Sequence, residues 1–268
     1  MDALRQVEGW PAETVAVGVL RDGEEVATQG PREHVFRWAS ITKPVTALAT
    51  LVAAEEGIVD LDEPAGPPGS TLRHLLAHAS GLPFEGLTPI AQPGRRRIYS
   101  NGGFDVIAET VAAAAEMPFT EYLEAAVLQP LEMQAELRGS AGSEMHGTLD
   151  DLLRVGAELQ RPKLIAPETL VEATSVQFPG LDGILPDIGR MEPNDWGLGV
   201  ELRDQKSPHW TGSRNSPRTF GHFGGSGTWL WVDPEPGVAL ACLTDFHFGP
   251  WALEAWPQLS DAVLAGFT

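Results

Sequence analysis

Apolar and polar positions alternate from Thr14, where "TVAVGVL" gives way to "RDGEE" and then to "VATQG". A period of two broken by an Asp-Gly pair predicts two strands joined by a tight turn, so the chain is expected to begin with a hairpin. From Ile41 the period lengthens. Val45, Leu48, Leu51 and Val52 fall on one face among many alanines, and Gly57 follows the last turn, which predicts a buried helix closed by a glycine. Pro44 fits this helix, because the N–H that a proline lacks has no partner in a first turn.

Between Gly57 and about Gly147 the stretches "STLRHLLAHASGL", "GFDVIAETVAAAAEM" and "PFTEYLEAAVLQPLEM" predict helices separated by loops, with no strand. "GTLDDLLRVGAEL" predicts another helix, with Thr148 as N-cap and Asp150 and Asp151 at the positive end of its dipole. "PETLVEATS" follows as a short helix. Residues 177–219, rich in Pro, Gly, Asp and Arg, carry one strand-like segment, "WGLGVEL", and are expected to wrap over a cleft. "TWLWVDP" and "GVALACLTD", joined by "EPG", predict a second hairpin, and "WALEAWPQLSDAVLAGF" a terminal helix that contains Pro257. Strands therefore gather at both ends of the chain and helices in its middle. The expected fold class is α/β (α+β), an antiparallel sheet built from N- and C-terminal strands, flanked by helices, with an inserted mostly helical lobe. One domain over residues 1–268 is expected, with a sheet lobe of 1–57 plus 148–268 and a helical lobe of 58–147.

Charge and cysteine usage narrow the function classes. With 18 basic against 37 acidic residues the net charge is -19, which repels phosphate backbones and anionic membrane surfaces. Neither nucleic acid nor a membrane is an expected partner. No cationic start followed by an apolar leader is present and no run reaches membrane-spanning length, so a cytoplasmic location is expected. The single cysteine, Cys242, excludes an intrachain disulfide and lies in an apolar run, as a buried, inert thiol would. Seven histidines are scattered, and "HLLAH" places His74 and His78 on one helix face without the glutamate of a zinc-protease helix. They are read as packing residues, and no metal or other cofactor is expected.

Three short constellations carry chemistry. In Ser40-Ile-Thr-Lys43 a serine at a helix N-terminus has a lysine one turn on, within reach of the hydroxyl. The free N–H groups of that terminus suit a developing oxyanion. The plain alternative is a capping serine with a solvated lysine. Only three lysines accompany 12 serines, so the pattern arises by chance about 0.13 times per chain at this composition. Burial against the apolar helix would lower the pKa of Lys43 and make it a better base. The second constellation is Tyr99-Ser100-Asn101 at a loop-to-helix junction, rarer still, at about 0.02 by chance, because the chain has two tyrosines and three asparagines. Tyr99, close to cations such as Lys43 and His222, is expected to be pushed towards phenolate and to act as a base, with the Asn101 amide donating to a substrate carbonyl. The alternative there is an ordinary Asn-Gly turn. The third is His222-Phe223-Gly224-Gly225-Ser226-Gly227, whose glycines let a substrate approach a strand edge, or simply form a turn and bulge.

In this order the three resemble the marks of the serine β-lactamase and penicillin-binding protein superfamily, Ser-x-x-Lys, Tyr-x-Asn and Lys/His-x-Gly. Its class C β-lactamase-like branch, which includes esterases and D-amino-acid-specific peptidases, is the nearer match. "TLRHLLAHASGLP" and "YSNGGFDVIAETV" look like that branch, and the likeness runs from about Thr14 to Pro234. The resemblance implies a β-lactamase/transpeptidase-like fold with the site between two lobes. It implies Ser40 as acylated nucleophile, Lys43 as its base partner and Tyr99 as base or proton shuttle. Asn101, His222, Phe223 and Gly224 would bind substrate, with the N–H groups of Ser40 and Gly225 as oxyanion hole. The chain departs from the pattern at Phe223, where a hydroxyl residue usually helps to bind a substrate carboxylate. That suits a simple ester or an apolar acyl group better than a β-lactam. No glutamate stands in the class A deacylation setting, so Tyr99 would activate water. The expected activity is a serine hydrolase acting through an acyl-enzyme on a small ester or amide, carboxylesterase-like. A β-lactamase or D-amino-acid-specific peptidase is the first alternative, and a non-catalytic penicillin-binding or interaction module the second.

Overall fold

A computed structural model describes residues 1–267. The N-terminal hairpin forms as strands β1 (Val15–Arg21) and β2 (Glu24–Gln29), and the C-terminal one as Thr228–Asp233 and Val238–Thr244. They join in one six-stranded antiparallel sheet, in the order β2, β1, Val238–Thr244, Thr228–Asp233, Phe220–Gly224, Glu201–Leu202. The register pairs Val17 with Cys242 and Cys242 with Trp229, so the two chain ends close the centre of the sheet.

Every residue of Val238–Thr244 is buried, because helices cover both faces of the sheet. On one face the helix Leu149–Gln160 lays Leu152, Leu153 and Leu159 against Leu20, Leu230 and Ala241. Gly18 lets the helix approach closely there, since a β-carbon would meet the Leu153 side chain at 2.8 Å and make it shift. On the other face the terminal helix Pro250–Ala265 packs Trp256, Leu259 and Val263 on Val17, Trp229, Trp231 and Cys242. Cys242 is buried and free. The sequence reading of an antiparallel sheet flanked by helices therefore holds.

Helix α1 (Thr42–Glu55) is buried along nearly its whole length and ends as expected near Gly57, whose φ is +72°. Its start differs. A 3-10 turn, Ala39–Ile41, precedes it, and Ser40 lies within that turn and caps nothing with its side chain. In the stretch 58–147 the short strands Glu136–Leu137 and Met145–Gly147 pair with each other, and Met145–Gly147 pairs on its other side with Phe36–Arg37, contrary to the strand-free reading. They are two and three residues long, too short for a periodic signal. Helix α2 is only Leu72–Leu76, and α3 spans Gly102–Ala115. "WGLGVEL" supplies only the strand Glu201–Leu202, because Gly199 turns the chain at φ +78° where it crosses α1 against Ala47. Thr148 caps its helix in a reciprocal arrangement with Asp151, as the sequence indicates.

Thr148→Ala removes that capping bond, and chemical denaturation is expected to show a loss of about 1 kcal/mol with an unchanged m-value.

Candidate active site

The 3-10 turn that carries Ser40 is tied to the sheet edge. Ala39 has a φ of +48°, a conformation that costs a residue with a β-carbon free energy and persists only where neighbours enforce it. Here they do. Thr228 Oγ1 donates to the Trp38 carbonyl at 2.7 Å, Ser226 Oγ to the Arg37 carbonyl at 2.8 Å, and Thr42 Oγ1 to the Ala39 carbonyl at 2.6 Å. The strand must come close for this, and Gly224 permits it, since a side chain there would lie 2.5 Å from the Trp38 carbonyl oxygen. Gly225, next in the chain, has open space before it and lines the same cavity of about 480 Å³ as Ser40.

Lys43 projects from the first turn of α1 and is fully buried. Its Nζ lies 2.7 Å from Asn101 Oδ1, 2.7 Å from the Gly142 carbonyl and 3.2 Å from Ser40 Oγ. Burial draws its pKa down to about 7, against the opposing pull of Asp105 and Glu85. A neutral amine has two N–H groups and one lone pair. The Asn101 and Gly142 oxygens are pure acceptors and take both N–H groups, so the lone pair is left for the Ser40 hydroxyl proton. The faces of Tyr99 and Phe104, 4.6 and 5.4 Å from Nζ, complete the enclosure.

Asn101 stands at the start of α3 and is divided between two partners, its Oδ1 accepting from Lys43 and its Nδ2 donating to Glu85 Oε1 at 2.7 Å. The donor expected to face a substrate is thus held by a carboxylate. Tyr99 departs from expectation more sharply. Burial raises its phenol well above the ordinary value, with hydrogen bonding to Ser40 the only opposing influence. The proximity of cations does not produce a phenolate because one supposed cation is absent. Burial and the charge of Lys43 depress His222 to about 3, so its ring is neutral. Its Nδ1–H donates to the Phe223 carbonyl at 2.7 Å, which leaves Nε2 to accept from the Tyr99 hydroxyl at 3.4 Å. Phe223 borders the cavity, but its ring belongs to an aromatic cluster with Trp210, Phe248 and Trp256. It offers a substrate no polar group.

Residues unmarked in the sequence complete the site. His78 and His74 do not share a helix face, because α2 ends at Leu76 and His78 adopts φ +54°. His78 instead stacks on Tyr99 at 4.4 Å and accepts from the Ser100 N–H at 3.1 Å, while its own carbonyl accepts from the Ile98 N–H, so it grips the Tyr99 loop from both sides. Trp196 packs on Tyr99, His78 and His222. Its segment is fixed by Lys206, buried, which donates to the Glu201 carboxylate and to the carbonyls of Asp195 and Leu202. His209 and Trp210 donate to the other Glu201 oxygen, at 2.9 and 3.0 Å. The scarcity of lysine that singles out Lys43 would equally have singled out Lys206. Asp105, which binds Ser140 Oγ and the Ala141 N–H and so shapes the turn presenting the Gly142 carbonyl, has no comparable signal.

The sheet faced by helices and the serine-lysine pair at its edge define a chain of the serine β-lactamase type, and comparison with known proteins agrees. The β-lactamase family model matches residues 7–263, and the chain belongs to that family. A crystal structure of a β-lactamase from Mycobacterium bovis superposes with a TM-score of 0.98 at 51% identity, covering 99% of each chain. The D-alanyl-D-alanine-carboxypeptidase/endopeptidase AmpH of Escherichia coli K12 is 28% identical over 169 residues, 49% of this chain and 43% of its own length. The chain therefore matches less than half of that relative. Esterase EstB of Burkholderia gladioli is 23% identical over 331 residues, 87% of this chain and 83% of its own. Among the described residues no group of three or more His, Cys, Asp or Glu is placed to hold a metal, and no helix is long and apolar enough to cross a membrane.

With Asp105 among the groups that raise the Lys43 pKa, Asp105→Asn is expected to move the titration of Nζ, followed by NMR of 15N-lysine-labelled protein, from about 7 to lower pH.

Proposed function

We propose that this chain is a serine hydrolase acting through an acyl-enzyme on a small ester or amide, closest in chemistry to a carboxylesterase. The observation that carries this reading is the buried Lys43 amine within hydrogen-bond distance of Asn101 Oδ1, the Gly142 carbonyl and Ser40 Oγ; once it has lost a proton, the first two take its N–H groups and its lone pair faces Ser40. Ser40 gives its proton to Lys43 as its Oγ attacks the carbonyl carbon, and the N–H groups of Ser40 and Gly225 receive the oxyanion. Collapse breaks the bond to the leaving alcohol or amine, which takes up the proton from Lys43, directly or through the Tyr99 hydroxyl. Tyr99 works as a neutral phenol, anchored by His222 Nε2, and relays protons without ever resting as phenolate. Water then attacks the acyl carbon and yields its proton to Lys43 by the same route; collapse breaks the bond to Ser40 Oγ, which takes that proton back from Lys43, releasing the acid and restoring the serine hydroxyl and the neutral amine.

The cavity wall favours an ester over a β-lactam or a peptide ending in a carboxylate. The arginine on that wall, Arg37, is engaged with Glu144 through two hydrogen bonds, and Lys43, fully buried and not itself on the wall, is engaged with its three partners. Glu85 and Asp187 also face the cavity and Phe223 supplies no hydroxyl, so the wall offers a substrate carboxylate like charge and no unengaged arginine or lysine. The β-lactamase reading retains the support of the 51% identical Mycobacterium bovis protein, which is described as a β-lactamase.

Intact-protein mass spectrometry after a fluorophosphonate is expected to show one adduct on Ser40 and none in Ser40→Ala, and a labelled Ser40→Ala protein would overturn the assignment. Lys43→Met is expected to lower kcat/KM for p-nitrophenyl acetate by about two to four orders of magnitude, the range of a lost general base. For the wild type, kcat/KM should rise with pH as Lys43 loses its proton and level off above about 7. His222, neutral down to about 3, adds no second step in that window. Turnover of a chromogenic cephalosporin is expected to be slower than that of short-chain esters, and the reverse order would favour the β-lactamase reading.

A further inference from the structure

Behind the catalytic cavity lies a larger one, of about 690 Å³, and the two share Phe84, Tyr99, Pro186 and Asp187. It runs between the loop that leads to Tyr99 and the two-stranded ribbon of Gly183–Leu185 and Gly189–Met191. Gly183 pins the base of that ribbon to the loop: it bridges to Arg97, whose N–H donates to the Asp182 carbonyl, and any side chain at 183 would collide with the Arg97 backbone. The remainder of the ribbon stands off the loop and leaves the space open.

The walls of this space are apolar. Phe84, Ile90 and Ile184 line it while 52%, 67% and 66% exposed, and Ile98 and Pro186 join them. Large apolar side chains left in water along one continuous wall mark a surface that takes an apolar ligand. Of the charges at its border, Arg190 is matched by Asp182 and Glu192 and the buried Arg97 by four backbone carbonyls, while Arg96 and Asp187 stand exposed to water at the rim. No buried polar side chain is left aimed into the space to demand a polar occupant. Phe84, stacked on Tyr99 at 5.8 Å between ring centres, belongs to both cavities, so a chain lying along its ring leads from Ser40 into the groove.

We propose that this groove receives an extended apolar chain of the substrate, so that the natural substrates are esters bearing a medium-to-long alkyl or aryl-alkyl arm. This rests on the acyl-enzyme reading above and adds the substrate class to it. The atoms that react are unchanged; the groove contributes binding that grows with the length of the arm.

The test uses two ester series at constant pH. One lengthens the acyl arm, from p-nitrophenyl acetate through hexanoate to decanoate, and the other lengthens the alcohol arm of alkyl acetates. In one of the two, kcat/KM is expected to rise about fourfold per methylene until the groove is full, corresponding to roughly 0.8 kcal/mol per buried CH2. The series that rises tells which arm the groove holds. Ile90→Asp and Ile184→Asp, at exposed positions where a carboxylate does not disturb the core, should cut the ratio of long-chain to acetate kcat/KM at least tenfold. Rates independent of length in both series, or an undiminished ratio in both variants, would overturn the proposal. Such a result together with concentration-dependent dimerisation in sedimentation that Ile184→Asp abolishes would give the groove to a second copy of the chain. Binding of p-nitrophenyl decanoate and acetate to Ser40→Ala protein, followed by tryptophan fluorescence, separates this inference from the reading it rests on. Tighter decanoate binding with no acylation of wild-type Ser40 would sink the hydrolase reading and leave the groove standing, whereas ready acylation with equal binding of both esters would do the opposite.

Discussion

Lys43 is a buried amine with three oxygen contacts, the Asn101 and Gly142 oxygens, which only accept, and the Ser40 hydroxyl, which can accept or donate. An ammonium enclosed by Tyr99, Phe104 and the body of α1 would lose its hydration with no carboxylate in contact to replace it, so burial brings the pKa into the neutral range. Asp105 and Glu85 act from farther off and keep it from falling further. The same enclosure that costs stability makes the lone pair available, and the Asn101 and Gly142 oxygens direct that lone pair at Ser40. Chemistry and folding pull against each other at this one nitrogen.

The rest of the molecule serves to hold the two ends of that contact. Ser40 sits on a turn whose first residue is in the left-handed region, and the turn after Gly224 and the strand that starts at Thr228 hold it there through the hydroxyls of Ser226 and Thr228. The sheet edge can do this because its centre is rigid, buried on both faces between two helices. On the opposite side His78, Trp196 and the Lys206–Glu201–His209 network fix the Tyr99 loop from behind, and Tyr99 in turn closes over Lys43. Polar groups gather densely here, yet nearly all are engaged with each other, which leaves the cavity wall poor in free cations and rich in aromatic surface.

Much of the fold was legible in the chain. The two hairpins announce themselves by alternation and turn residues, and the Thr148 cap by its side-chain chemistry, because each of these is decided within a few residues. The short strands at 136–137 and 145–147 were not legible, since each is too short to carry a period and their small sheet is completed by Phe36–Arg37 from a distant part of the chain. Nor was the ionisation of Tyr99. From composition a tyrosine among cations should be acidified, but His222 is neutral and desolvation prevails at a fully enclosed phenol. The i, i+4 spacing of His74 and His78 misled for a similar reason: the helix that would align them ends at Leu76, where His78 turns back to hold the Ser100 N–H.

The sequence by itself determined which side chains stand in the three short patterns and in what order they occur. Lys43, Tyr99 and Asn101 belong to scarce residue types, Ser40 and His222 stand in pattern with them, and side-chain identity is a local property. Tertiary structure alone decided their protonation states and their partners. It gave Asn101 to Glu85 and Lys43 at once, turned Phe223 into the aromatic cluster, and left Phe84, Ile90 and Ile184 facing an open groove beside the serine. Desolvation and hydrogen-bond sharing depend on what surrounds a group in three dimensions, and those neighbours arrive from distant parts of the chain.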